Sequence, residues 1–280
     1  MIDLHTHSSA SDGSLSPFSL IAEAVKRGVS TIALTDHDTI DGNQEAAKAA
    51  SEQGIHFIPG IELEIVWNHG GEFHLLGLGI NKPSPGFLAA VEELAGRRQA
   101  RNLEIVGKMN EAGITASYDD VGTIARGPSI GRPHFAAFLV QRKIVKNSEQ
   151  AFVRYLGKGK PFFIPKIGIE FERAVELIRE SGGITVLAHP MSLYVSWGNL
   201  PELIKDLKDK GLDGIEAWHP NTKISSCKRL HILGKNLGLR ITAGSDYHGE
   251  ARPDRRLGIT AGGKKIDETL LGEDIVGIIA

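Results

Sequence analysis

Short β-branched runs recur along the chain, and helix-length segments follow several of them. This alternation restricts the fold more than any other feature. The runs are "MIDLHTH", "STIALTDHD", "IHFIPGIELEIVW", "FHLLGLGI", "GITVLAHP", "LDGIEAWHP" and "LRITAGSDYH". Strand-helix units with apolar strands call for a parallel sheet covered by helices, either doubly wound or closed into a barrel. No GxGxxG or GxxxxGK[ST] pattern follows a strand, which weighs against a nucleotide-binding doubly wound sheet. The polar, Gly-rich turn inside "IELEIVWNHGGEFHLLGL" predicts a hairpin instead of a crossover, with His69 exposed in it, and leaves six or seven parallel strands.

The first intervening segment, "SPFSLIAEAVKRGVS", has Ser16 and Pro17 as a start signal and Gly28 as a stop. Its periodicity predicts a buried face of Phe18, Ile21, Ala22 and Val25. "FERAVELIRESGG" and "LPELIKDLKDKGL" repeat the design. The rhythm breaks after "GLGINKPSPG", where strands give way to "FLAAVEELAGRRQARNLEIVGKMNEAG", a long helix, and to shorter helices in "RPHFAAFLVQRK" and "SEQAFVRYLGKG". The expected organisation is therefore a barrel from residues 1–81 and 166–280, interrupted by a helical insertion at 82–165. Loops at the C-terminal ends of barrel strands carry function, so such an insertion belongs over the mouth as a cap.

At 280 residues the chain is long enough for one large core, and its 32 Lys and Arg against 34 Asp and Glu leave no polybasic character. Stable duplex nucleic-acid binding is not expected, whereas a small charged substrate is compatible. Cys227 is alone, which excludes an intramolecular disulfide framework and leaves it as buried filler, the favoured reading, or a reactive thiol. No signal-like segment and no apolar stretch near the roughly 20 residues of a membrane span occur, so a soluble cytoplasmic protein is expected.

In "IDLHTH" the strand period of two puts Asp3, His5 and His7 on one face. Alone, the two imidazoles are either metal ligands or a hydrogen-bonded core pair. The rest of the chain shifts the balance: Asp12 follows closely, "ALTDHD" places His37 between Asp36 and Asp38, and "PGIELE" places Glu62 in a run that should be buried. His74 lies in "EFHLLGL", His189 in "VLAHP", and Asp246 and His248 in "GSDYH". Taken singly, His74 reads as a satisfied core histidine and Asp246 as a turn cap. At the strand ends of one barrel, all nine converge on its mouth, where clustered carboxylates need cations. One Zn²⁺ or Mn²⁺ takes about three or four protein ligands, so nine with a bridging carboxylate point to two or three ions.

"DLHTHSSASDG", "LTDHDTIDG", "PGIE", "AHP" and "GSDYHG", in this order, strongly resemble the PHP superfamily of polymerase and histidinol phosphatase domains. That resemblance implies metal-dependent phosphoester hydrolysis on a distorted (β/α)7 barrel. "GRRQARN", "RPHFAAFL" and "GKPFFIP" look more narrowly like its branch of 3′,5′-nucleoside bisphosphate phosphatases and 5′-to-3′ exoribonucleases. It further implies three ions: His5, His7, Glu62 and Asp246 on the first; Asp12, His37 and His248 on the second; Glu62, His74 and His189 on the third. Mn²⁺ is the first expectation, with Fe²⁺ or Zn²⁺ as alternatives.

Such ions would provide a metal-bound hydroxide to attack phosphorus, with Asp36 and Asp38 orienting His37 or bound waters. Arg98 and Arg101 in "AGRRQARN" are one helical turn apart. Alone they read as a solvated helix face. With the resemblance they become contacts for a second phosphate, and His134 matches a substrate-contacting position. Glu216 and His219 in "GIEAWHP" read as supporting residues, and nothing is assigned to "RPDRRLG". The expected substrate is a 3′,5′-nucleoside bisphosphate, with short 5′-phosphorylated RNA as a further one. The rival readings are a phosphatase for another small monoester such as histidinol phosphate, and a non-catalytic metal-stabilised module.

Overall fold

The computed structural model describes residues 1–125, 127, 129–165 and 167–272. Position 166, where the second barrel segment was expected to begin, and its last residues, 273–280, lie outside the described residues.

One sheet contains seven strands in chain order: β1 (Ile2–Asp3), β2 (Thr31–Leu34), β3 (His56–Glu64), β4 (His74–Leu78), β5 (Ile184–Leu187), β6 (Gly214–Trp218) and β7 (Arg240–Ala243). The first three are mutually parallel, as are the last three, while β4 runs antiparallel to both β3 and β5. The expected hairpin is thus the β3–β4 pair, and six strands share one direction. The sheet curls until its ends meet. A parallel bridge joins Thr6 to Tyr247, the His7 N–H donates to the Tyr247 carbonyl at 2.9 Å, and the Asp246 N–H donates to that of His5 at 2.9 Å. Ile61, Leu75, Val186, Ile215 and Ile241 fill the apolar core, as near-continuous apolar strands buried on both faces require.

Nine α-helices are found among the described residues: α1 (Pro17–Lys26), α2 (Asn43–Gln53), α3 (Pro85–Glu111), α4 (Tyr118–Gly122), α5 (Arg132–Gln141), α6 (Ser148–Ala151), α7 (Phe171–Glu180), α8 (Leu200–Asp209) and α9 (Ile224–Asn236). Ser16 caps α1 by accepting the Ser19 N–H, as its position before Pro17 suggests. Its buried face differs from the expected one. Pro17, Leu20, Ile21 and Ala24 are buried, whereas Phe18 is 49% and Val25 39% exposed. Both sets satisfy the i, i+3, i+4, i+7 pattern one residue apart, and packing in a cluster with Ile32, Leu34 and the α2 alanines selects the earlier.

Between β4 and β5 the chain is helical. Phe87 and Leu94 of α3 pack on the barrel core, but Ile105, Val106 and Met109 of the same helix join a second core with Val121, Phe135, Phe138, Leu139, Leu156 and Phe162. The segment "SEQAFVRYLGKG" forms α6 followed by a π-helical turn at Phe152–Leu156. Among the described residues no helix is long and apolar enough to cross a membrane.

Candidate metal centre

β1 stops at Asp3, so His5 and His7 lie beyond it, on extended chain held by the Thr6–Tyr247 bridge. Their alternation survives: the two Nε2 atoms are 3.1 Å apart and face the same space. Asp3 is a tether elsewhere. It accepts the backbone N–H groups of Ser245 at 2.9 Å and Gly258 at 2.7 Å, and burial pushes its carboxyl up to about 6 despite them.

Glu62 stands at the centre. Its Oε1 is 2.9 Å from His74 Nδ1 and 3.0 Å from His189 Nε2, while its Oε2 is 3.0 Å from His37 Nδ1, 3.3 Å from His7 Nε2 and 3.4 Å from His5 Nε2. Asp246 Oδ1 lies 3.3 Å from His7 Nε2 and 3.5 Å from His248 Nδ1; Asp12 Oδ1 lies 3.2 Å from His248 Nε2. All nine expected ligands are therefore brought together. Their donor atoms form overlapping groups, each within 4.8 Å: His5, His7 and Asp246; His7, Asp12, His37 and His248; His5, Glu62 and His189; His37, Glu62 and His74.

One buried atom in this cluster, Glu62 Oε2, has no hydrogen-bond partner although three imidazole nitrogens stand within 3.4 Å of it. Buried polar atoms are nearly always paired, so lone pairs converging without protons between them fit a cation. Imidazole with carboxylate, and no thiolate, suits Mn²⁺, Fe²⁺ or Zn²⁺. The electrostatics agree. Burial opposes ionisation of Glu62, but the charges of His37, His5 and His74 overcome it and hold the carboxyl well below its usual range. Asp246 and Asp12 are likewise depressed, against burial, chiefly by His248. Conversely burial disfavours the His248 cation, yet Asp12 and Asp246 raise it to about 9.

Surrounding residues aim these groups. Glu216 accepts from His5 Nδ1 at 3.1 Å and from the His189 N–H at 2.8 Å, leaving His5 Nε2 toward the cluster. Glu64, two residues from Glu62 on β3, lies 2.8 Å from His74 Nε2. Carboxylates behind ligating imidazoles fix ring orientation in this way. Asp246 (φ 50°), His189 (φ 28°) and Asp38 (φ 53°) all adopt left-handed backbone that non-glycine residues rarely take. Strain of this kind collects where surrounding structure must aim a side chain.

Asp36 accepts from the Ser8 N–H at 2.8 Å, Ser8 Oγ at 2.6 Å and Ser11 Oγ at 2.5 Å, so it pins the loop that carries Asp12. Asp38 accepts from the Glu64 N–H at 3.0 Å and from the Arg98 guanidinium. A cavity of about 420 Å³ opens above the cluster, lined by Asp12, Glu62 and Asp246 below and by Arg98, Arg101 and Arg132 from the helical segment. Arg101 is only 6% exposed, and burial together with the charges of Arg98 and Arg132 lowers its pKa to about 10. Its Nε is buried without a partner. His134 does not line this cavity; its Nδ1 accepts the Gly131 N–H at 2.9 Å and caps α5. The sequence reading missed Arg132 and Glu64, and with them Arg255, which also lines this cavity. The first two stood inside quoted motifs, two residues from an assigned site residue.

A barrel whose mouth gathers imidazoles and carboxylates beneath guanidinium groups is that of a metal-dependent phosphoesterase. The chain belongs to the PHP domain family, whose profile matches residues 3–129. It is 39% identical over 246 residues to a 5′-3′ exoribonuclease of Haemophilus influenzae, covering 88% of this chain and 89% of that one. It is 34% identical over 260 residues to a 3′,5′-nucleoside bisphosphate phosphatase of Chromobacterium violaceum, covering 92% and 91%. A solved structure from Bifidobacterium adolescentis, described as that of a metal-dependent phosphoesterase, superposes with a TM-score of 0.86 at 26% identity over 99% of this chain and 94% of that one.

Proposed function

We propose that this chain removes the 3′-phosphate of 3′,5′-nucleoside bisphosphates, leaving the 5′-monophosphate, and degrades short 5′-phosphorylated RNA at the same site. The observation that carries this reading is one cavity lined both by the ligand cluster and by three guanidinium groups, Arg101 and the Arg98 and Arg132 whose charges both act on it. A simple monoester needs only the cluster. A second phosphate adds an anion for these cations, and the unpartnered Arg101 Nε is a donor in want of one. Relatives at 39% and 34% identity carry the exoribonuclease and bisphosphate phosphatase names.

In this reading residues 1–81 and 166–280 form the catalytic barrel and 82–165 a cap. His5, His7, Glu62 and Asp246 hold one divalent ion, Asp12, His37 and His248 a second, and Glu62, His74 and His189 a third, with Mn²⁺ the first choice. Ions of this kind supply Lewis-acid charge and activated water for phosphoester cleavage. Glu62 serves two sets through its separate oxygens, Glu216 and Glu64 hold His5 and His74 in register, and Asp38 aligns Arg98. His134, expected as a further contact, stands outside the cavity lining and instead caps the helix that carries Arg132.

The test is phosphate release by the purified chain of verified Mn²⁺ content. Adenosine 3′,5′-bisphosphate, a 5′-phosphorylated oligoribonucleotide and histidinol phosphate are compared. Preference for the first two supports the proposal; preference for histidinol phosphate, or no turnover of any of them, overturns it.

A further inference from the structure

The loop after β7 carries "GEARPDRRLG", which the motifs leave without a role. It delivers one buried guanidinium to the edge of the cavity: Arg255 is only 3% exposed. Its Nη1 lies 3.2 Å from Asp246 Oδ2 and 3.0 Å from His219 Nε2, and that imidazole nitrogen is itself 3.2 Å from the same oxygen. Two groups therefore meet at one carboxylate oxygen.

Proton positions follow from the rest of the contacts. His219 Nδ1 accepts the Asn221 N–H at 3.3 Å, so a neutral ring carries its proton on Nε2. That N–H donates to Asp246 Oδ2. The Arg255 guanidinium lies against the same oxygen as an ion pair at 3.2 Å, with its Nη1 directed past it toward the imidazole. Arg255 Nε donates to Asp254 Oδ2 at 3.0 Å, which fixes the guanidinium plane from the outer side. The other oxygen of Asp246, Oδ1, is the one near His5, His7 and His248.

We infer that Arg255 and His219 are positioning residues that together occupy Oδ2 of Asp246 and reserve Oδ1 for the ion shared with His5 and His7. The inference rests on the ligand set proposed above. Asp246 sits on left-handed backbone, and a hydrogen bond and an ion pair on one of its oxygens stop the carboxylate from turning. Supporting residues behind a ligand typically change metal affinity by roughly 10–100-fold when removed.

Arg255→Met and Arg255→Lys chains, stripped with chelator, are titrated with Mn²⁺ alone while free Mn²⁺ is followed by electron paramagnetic resonance. The unmodified chain tests the metal reading itself: if it binds no Mn²⁺, that reading fails and this inference with it. If it binds, the expected result is a roughly 10–100-fold weaker affinity for one ion in Arg255→Met. The other ions should be unchanged, and Arg255→Lys should recover part of the loss. Unchanged affinity in Arg255→Met overturns the inference alone, as does an equal loss at every ion, the mark of a merely structural arginine. Should Arg255→Met fail to fold, His219→Phe removes the hydrogen bond to the same oxygen and is read against the same outcomes.

Discussion

Gly244 and His5 pack so closely that a methyl group on the glycine would stand 2.3 Å from His5 Cβ and 2.6 Å from Glu216 Oε1. Neither neighbour can retreat easily, because His5 and Glu216 are both buried and hydrogen-bonded to one another. Gly244→Ala should therefore cost about 1–3 kcal/mol of stability, as overpacking of a filled interior does. It should also turn His5 away from its partner. Thermal unfolding together with bound-metal analysis checks this, and an unchanged melting temperature with full metal content would refute it.

Glu216 touches the cluster only through other residues, holding the ring of His5 and the backbone of His189. Glu216→Ala should weaken metal binding by roughly 10–100-fold, and Glu216→Gln by less, since the amide oxygen still accepts. Mn²⁺ titration of the three chains measures the order. Equal affinities would show that His5 needs no orienting partner.

Neutralising Arg98 and Arg101 separates the two phosphates of the proposed substrate. Hydrogen bonds to charged groups contribute about 1.5–3 kcal/mol each, so Arg98→Gln with Arg101→Gln should raise KM for adenosine 3′,5′-bisphosphate by at least about tenfold. KM for p-nitrophenyl phosphate, which has no second phosphate, should move little. Equal effects on both substrates would place these arginines in the fold and not in recognition.

Asp12 approaches His248 at 3.2 Å, on the far side of His7 from Glu62. Asp12→Ala should remove one ion while leaving that of His5 and Asp246. Counting ions per chain after gel filtration decides the matter, and loss at every site would dissolve the proposed division between ions.

The gathering of imidazoles and carboxylates was legible in the sequence because such groups are poor company for apolar strands. Where Glu62 interrupts "PGIELE" or Asp246 closes "ITAGSD", a residue stands that burial alone would penalise. The β4 reversal was legible for a similar local reason, in the Gly-rich turn that precedes it. Arg255 was not, since its partners His219 and Asp246 are strangers to its own loop and only the closed barrel brings them near. The inner face of α1 was misread because Phe18 and Val25 mimic the true stripe one residue later. The serine contacts of Asp36 were hidden from the pattern, since two hydroxyls and a backbone N–H reach its oxygens from a loop more than twenty residues earlier.

The barrel closes where a two-residue first strand meets the last through a bridge and a few backbone hydrogen bonds. His5 and His7 stand on one lip of this seam and Asp246 and His248 on the other. An ion held by both lips is a clasp as well as a reagent. Exchange of the His7 and Asp246 amide hydrogens, which span the join, thus becomes a clock for cofactor loading, slow when the ring is fastened and fast when it is not.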